Sequence, residues 1–175
     1  TQRQMLLDAL EITHPDFDLE KIERCLLSIE DIKSLNQIAI TYSETGDRRF
    51  AIRIYEQVMH YPHNRMFNNE ALLTVMPLLC YNYSRLLGRE RRYEECIEVA
   101  QYGYDICLKY NKARLLGGLL LNIGCSLQKL GQDEEAKQKL IESYYAFVTV
   151  KKFSSAQKVK DYMKETWGLD FKGDI

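Results

Sequence analysis

The sequence predicts an all-α protein built as a superhelix of stacked antiparallel helical hairpins. Three observations carry this. Strand-like alternation of Val, Ile and Thr is almost absent, and only three prolines (Pro15, Pro62, Pro77) and nine glycines interrupt 175 residues. Apolar residues recur at helical spacing along most of the chain. A pairing of small with large side chains also repeats, as helices that approach one another closely require.

The repeat is clearest in "AITYSETGDRRFAIRIYEQV", residues 39–58. Leu35, Ile38, Ala39 and Tyr42 are followed by a break at Gly46–Asp47 and then by Ala51 and Tyr55. This order fits the tetratricopeptide template with Leu in place of its first Trp. A second copy has Cys80, Tyr83, Ser84 and Leu87, then Cys96 and Ala100. A third has Leu120, Ile123, Gly124 and Leu127, then Gly131, Ala136 and Leu140. From Ala51 to Cys96 is 45 residues and from Cys96 to Ala136 is 40. Both exceed the period of about 34 usual for such repeats, so longer helices or connections are expected. The fold class is therefore a tetratricopeptide-like right-handed superhelix in a single domain over residues 1–175. Repeats are expected at 30–62, 66–110 and 112–151.

Residues 1–29 should hold two preceding helices. "MLLDALEI" ends at Thr13–Pro15, and "DLEKIERCLL" has Asp18 placed as its N-cap. "SIED" reads as a capping box opening the first repeat, with Asp31 in the place of the usual Glu. Residues 60–69, "HYPHNRMFNN", form the longest polar break. Pro77 interrupts an apolar run, which predicts a kinked or late-starting helix. Phe153, Ala156, Val159, Met163 and Trp167 share one helical stripe over 153–168, a helix expected to cap the stack.

Composition excludes several functions. The net charge of -1 gives no general attraction to nucleic acid or to an anionic membrane. No run approaches the roughly 18 apolar residues that a membrane span requires. The five cysteines (25, 80, 96, 107, 125) form no C-x-x-C pair and leave an odd count. They are expected as free thiols in a reducing cytoplasm. Of the histidines (14, 60, 63), only His60 and His63 are close in sequence, and no carboxylate or thiol at ligand spacing accompanies them. There is no phosphate loop and no nucleophile elbow. No catalysis, cofactor or metal is expected. Gly117 and Gly118 lie in an apolar helical run, where they permit close helix packing.

Ligands of stacked hairpins meet the first helix of each pair, which lines the inner surface. By register, the residues available there are Asn36, Gln37 and Ile40 in the first copy. In the second they are Tyr81, Asn82, Arg85 and Arg89, and in the third Leu121, Asn122, Cys125, Gln128 and Lys129. Asn82 and Asn122 occupy the same repeat position, and Asn36 lies one residue earlier. Each amide can either hold the backbone of an extended peptide or bond the neighbouring helix. Arg85, Arg89 and Lys129 suit a carboxylate. Tyr81 is open between groove wall and core.

"IKSLNQIAITYSETGDRRFAIRIYEQV", "YNYSRLLGRERRYEECIEVAQYGYDICLKYN" and "LLNIGCSLQKLGQDEEAKQKLIESYYAFVTVKK" resemble the sensor region of helix-turn-helix transcriptional regulators of Gram-positive bacteria (the XRE-type, PlcR/Rgg-like class). The likeness runs from about residue 15 to residue 167. It implies a domain that senses a short signalling peptide and often forms a homodimer. It also implies a DNA-binding module N-terminal to these residues; no segment within them has a helix-turn-helix pattern with a basic recognition helix, so they alone should not bind DNA. In such regulators, asparagines on inner helices hold the peptide backbone, which would assign that role to Asn82 and Asn122 by register, and to Asn36 one residue out of it. The alternative is a stand-alone tetratricopeptide adaptor docking a protein partner. A third reading on the same repeats is an anti-activator or phosphatase-type partner of response regulators.

Overall fold

The computed structural model describes the backbone of residues 1–64 and 69–172 and the side chains of residues 1–61 and 75–172. Its helices are α1 (Gln2–Thr13), α2 (Ile29–Glu44), α3 (Arg48–Asn64), α4 (Asn69–Arg89), α5 (Tyr93–Lys109), α6 (Leu116–Lys129), α7 (Asp133–Thr149) and α8 (Phe153–Trp167). Single 3-10 turns occupy Ile22–Arg24 and Ala113–Leu115, and no strand occurs among the described residues. The fold is all-helical and tetratricopeptide-like.

Each helix packs on its successor from α2 onward, giving the hairpins α2–α3, α4–α5 and α6–α7, with α8 closing the stack against α7. The first helices also meet, α2 against α4 and α4 against α6, whereas among the described residues the second helices make no comparable contact with one another. Layers joined on one side and splayed on the other must curve, so α2, α4 and α6 form the concave face.

The small positions of the repeat do what close packing demands. Ala39, Ala51 and Ala136 are fully buried, as is Ser84. A Cβ added at Gly124 would stand 2.8 Å from Leu140 Cγ and 3.2 Å from the carbonyl oxygen of Ala136. At Gly117 and Gly118 it would strike the rings of Phe147 and Tyr81, at 2.7 and 2.5 Å. The paired glycines thus permit close approach, as the sequence suggests.

The turns between helices use one device. Gly46, Arg91, Asn111, Gly131 and Lys151 all have positive φ. The N–H after each of the last four bonds back to a carbonyl five residues earlier: Arg92 to Leu87, Lys112 to Cys107, Gln132 to Leu127, Lys152 to Phe147. This left-handed closure satisfies carbonyls left over at the helix end.

Two expectations are corrected, and of the two alternatives at Pro77 one is removed. The helix expected from Asp18 shrinks to the 3-10 turn Ile22–Arg24, and the Asp18 carboxylate instead accepts the N–H of Glu20 at 2.8 Å. The reason lies in α3, whose side chains take the backbone groups of this segment. Gln57 accepts from the N–H of Ile22 and donates to the carbonyl of Leu19. The Tyr61 hydroxyl accepts from Leu27 N–H at 2.7 Å and donates to the Cys25 carbonyl at 2.9 Å. A chain so anchored does not need intrahelical bonds. For the same reason the polar break does not begin at residue 60: Tyr61 is buried and α3 runs on to Asn64. Of that break, residues 65–68 lie outside the described residues. Pro77 sits inside α4, which already begins at Asn69, so the helix does not start late.

The capping box holds as expected. Ser28 Oγ accepts from Asp31 N–H, and the Asp31 carboxylate accepts from Ser28 N–H at 2.8 Å. In α8, Ala156, Val159 and Met163 are buried against α7, but Phe153 is exposed. Trp167 lies edge-on to Tyr162, with Lys137 5.6 Å from its ring centroid, so this stripe is used within the chain.

Candidate functional site

The inner helices are stitched together by asparagines. Asn82 Nδ2 on α4 donates to Asn36 Oδ1 on α2 at 3.1 Å, and the same oxygen accepts from the Tyr55 hydroxyl of α3. One repeat further on, Asn122 Nδ2 on α6 donates back to the Tyr81 carbonyl and to Ser84 Oγ on α4, at 3.1 and 2.8 Å. Equivalent positions thus make equivalent bonds, each to the preceding inner helix. Asn36 and Asn82 are buried, whereas Asn122 is half-buried.

Among the described residues, a crevice and a cavity open on this face. A shallow crevice between α2 and α4 is lined by Ile40, Ser43, Glu44, Asn82, Arg85 and Arg89, with Tyr55 beneath. A larger cavity of about 250 Å³ lies between α4 and α6. Ser84, Arg85, Gly88 and Arg89 of α4 form one wall, and Asn122, Cys125, Ser126 and Lys129 of α6 the other. Tyr93 and Cys96 of α5 and Tyr162 of α8 close it. No Asp or Glu is among the described residues that line it.

Five residues marked from sequence therefore meet on one cavity: Arg85, Arg89, Asn122, Cys125 and Lys129. Arg85 and Arg89 are one turn apart on α4 and also border the crevice, which makes them the ridge between the two. None of the three cations has a carboxylate within ion-pair distance among the described residues. Like charges at i and i+4 repel by a few tenths of a kcal/mol, a cost that an anion at this place removes. The Arg85 guanidinium stands 5.7 Å from the Tyr81 ring centroid, and Tyr81 itself is wedged against Gly118. Tyr81 thus serves the helix packing and steadies Arg85. Gln128 accepts from the Tyr162 hydroxyl at 3.1 Å, and Gln37 is half-buried on α2, lining neither concavity. Leu121 packs into the apolar cluster around Phe147.

The cavity's thiols are passive. Burial pushes Cys125 up to about 11 and raises Cys96 as well, so both stay protonated near neutrality. None of the five cysteines is in a disulfide. Among the described residues no group of three or more His, Cys, Asp or Glu gathers to hold a metal. His14 pairs with Asp31 at 3.1 Å instead. The arrangement is chemically that of a binding site, with cations and amides at its rim and thiol and aromatic surface inside.

Ser84, Gly88, Tyr93, Cys96, Ser126 and Tyr162 were not anticipated in the lining. Tyr93 and Cys96 belong to a second helix and Tyr162 to the capping helix, so only the curvature of the stack brings them in. Ser84 and Ser126 flank register positions already marked, and an intrahelical glycine such as Gly88 was the one available signal.

Residues 18–165 match the RNPP family C-terminal domain. A search of curated protein sequences returns no match. Among solved structures the chain is similar to Bacillus thuringiensis PlcR in complex with the peptide PapR7 and DNA (TM-score 0.67, 20% identity, covering 90% of this chain and 59% of that one). It is also similar to the same protein in its apo form (TM-score 0.64, 21% identity, 90% and 62%). A third likeness is to aspartyl phosphate phosphatase F from Bacillus subtilis (TM-score 0.59, 16% identity, 94% and 48%). The chain spans less than two thirds of the length of each. It belongs to the RNPP family and comprises that family's C-terminal domain, and no helix among its described residues is long and apolar enough to cross a membrane.

Proposed function

We propose that this RNPP C-terminal domain binds a short peptide on its concave face and is the sensing part of a cytoplasmic, non-enzymatic transcriptional regulator. The observation that carries the reading is the cavity between α4 and α6, where Arg85, Arg89 and Lys129 meet without a lining carboxylate. Asn82 and Asn122 border the two concavities while their Nδ2 atoms are committed to the neighbouring helix. Their Oδ1 atoms are then the groups that accept from peptide N–H. Structural likeness to PlcR, described in complex with both a peptide and DNA, supports the same reading. DNA contact belongs to a separate N-terminal helix-turn-helix module and dimerisation to a second copy of the chain. The peptide acts by binding one curvature of the stack better than another, which is the only way a ligand moves such an equilibrium.

Charge reversal is the cleanest test. Arg89 and Lys129 are exposed, so Arg89→Glu and Lys129→Glu leave the core intact. Titration of fluorescent short peptides should show each reversal weakening binding by about tenfold or more. Unchanged affinity in both variants would place the peptide elsewhere. Failure of every peptide to bind, together with capture of a folded protein partner, would favour the adaptor.

A further inference from the structure

Five helical glycines can be compared by what a side chain would meet. At Gly103, Gly117, Gly118 and Gly124 an added Cβ comes within 2.5–2.8 Å of another atom, so packing excludes any side chain. Gly88 differs. A Cβ there would stand 3.6 Å from Cys96 Sγ and 3.9 Å from Ser126 Oγ, which is ordinary contact. Neither its packing nor its φ requires glycine, and a glycine within a helix costs about 1 kcal/mol relative to alanine. What its missing side chain does is leave open the cavity it lines with Cys96, Cys125 and Ser126.

The size of that cavity limits its occupant. At about 250 Å³ it falls below the roughly 300 Å³ at which sites for whole small ligands begin. It therefore takes one end of a peptide. Arg89 and Lys129 lie in the last turns of α4 and α6, where cations are favoured in any case. Arg85 is a turn further in and half-buried, and helix ends do not explain it.

We propose that this cavity receives the C-terminal residue of the peptide, and that Gly88 sets which residue fits. The terminal carboxylate sits on Arg85, Arg89 and Lys129, and the last side chain enters the compartment above Gly88 between Cys96 and Cys125. This assignment rests on the peptide-binding reading and adds to it the orientation of the peptide and the source of its selectivity. A carboxylate can also come from an Asp or Glu side chain, so the test separates the two.

The probes are two matched pools of synthetic N-acetylated hexapeptides, one with free C-terminal carboxylates and one with C-terminal amides. In each, the last residue is set in turn to Ala, Val, Leu, Phe, Trp, Lys and Asp. Free acids should bind about tenfold tighter than their amides. Gly88→Ala, with an unchanged melting temperature or a higher one, should lose the largest terminal residues that the parent protein accepts while keeping the small ones. Peptides that bind equally as acids and amides, or only when an internal Asp or Glu is present, overturn the terminal assignment and leave the peptide-binding reading standing. Selectivity unaltered in Gly88→Ala overturns the role of Gly88. No binding by any member of either pool overturns both the assignment and the reading beneath it.

Discussion

The first hairpin and the last are held together by different physics. Around α2 and α3 the joints are directional. Tyr61 and Gln57 take up the backbone of the segment before α2, Asn36 gathers Tyr55 and Asn82, and Ser28 with Asp31 caps the helix. Around α5, α6 and α7 close steric joints stand beside hydrogen bonds such as those of Asn122 to α4 and of Ser143 Oγ to the Gly117 carbonyl. Gly103 lies against Cys80, Gly117 under Phe147 and Gly124 against Leu140. There α5, α7 and α8 start without any side-chain cap, at Arg92, Gln132 and Lys152. Polar joints fix orientation yet leave space between helices, whereas glycine joints remove the space. The cavity lies where the two schemes meet, on the one helical glycine among the described residues that packing does not require.

That contrast makes graded predictions. The largest effect belongs to the steric half. Gly103→Ala would put a methyl group 2.5 Å from Cys80 Cβ, an atom fixed to its own backbone, and 3.1 Å from Leu119. The loss of stability in urea unfolding should approach about 3 kcal/mol, despite the helix propensity gained. A loss under about 1 kcal/mol would mean that α5 shifts easily away from α4 and α6. Next comes Tyr61→Phe, which keeps the ring and removes the hydroxyl's bonds to the N–H of Leu27 and the carbonyl of Cys25. It should cost about 2 kcal/mol. The matching signature is faster hydrogen exchange at Leu27, with the amides of α6 and α7 unaffected.

The smallest effect is the pH-dependent one. Burial pushes the Asp31 carboxyl up, but hydrogen bonds from the Ser28 hydroxyl and N–H and from His14 outweigh it, so its pKa lies below the ordinary 3.8. A depressed carboxyl stabilises the fold fully above its unfolded value, and that contribution fades as the pH falls through the folded one. Asp31→Asn should thus cost about 1 kcal/mol at neutral pH and progressively less below pH 3.8. Melting curves of the two proteins across an acid series would show this convergence. Parallel curves would show that the box acts through geometry alone.

The steric half was the more legible in sequence. Small residues at Ala39, Ser84 and Gly124 and the pair Gly117–Gly118 announce close approach by their type and spacing. The left-handed turns were half legible, through Gly46 and Gly131. Arg91, Asn111 and Lys151 do the same work without a marker. The segment at residues 18–27 misled because its pattern is helical, whereas its bonds go to Gln57 and Tyr61, about 35 positions along the chain. At the site, Arg85, Arg89, Asn122 and Lys129 follow from repeat register. Tyr93, Cys96 and Tyr162 enter only through curvature, which no local pattern encodes.

The most direct measurement of where ligands bind is amide chemical-shift mapping with the tightest free-acid hexapeptide of the pool. Peptide seated between α4 and α6 predicts the largest changes within Ser84–Arg89 and Asn122–Lys129, with little at the exposed Tyr102 and Tyr145 of α5 and α7. Changes centred on Tyr102 and Tyr145 instead, with the inner helices silent, would contradict binding on the concave face.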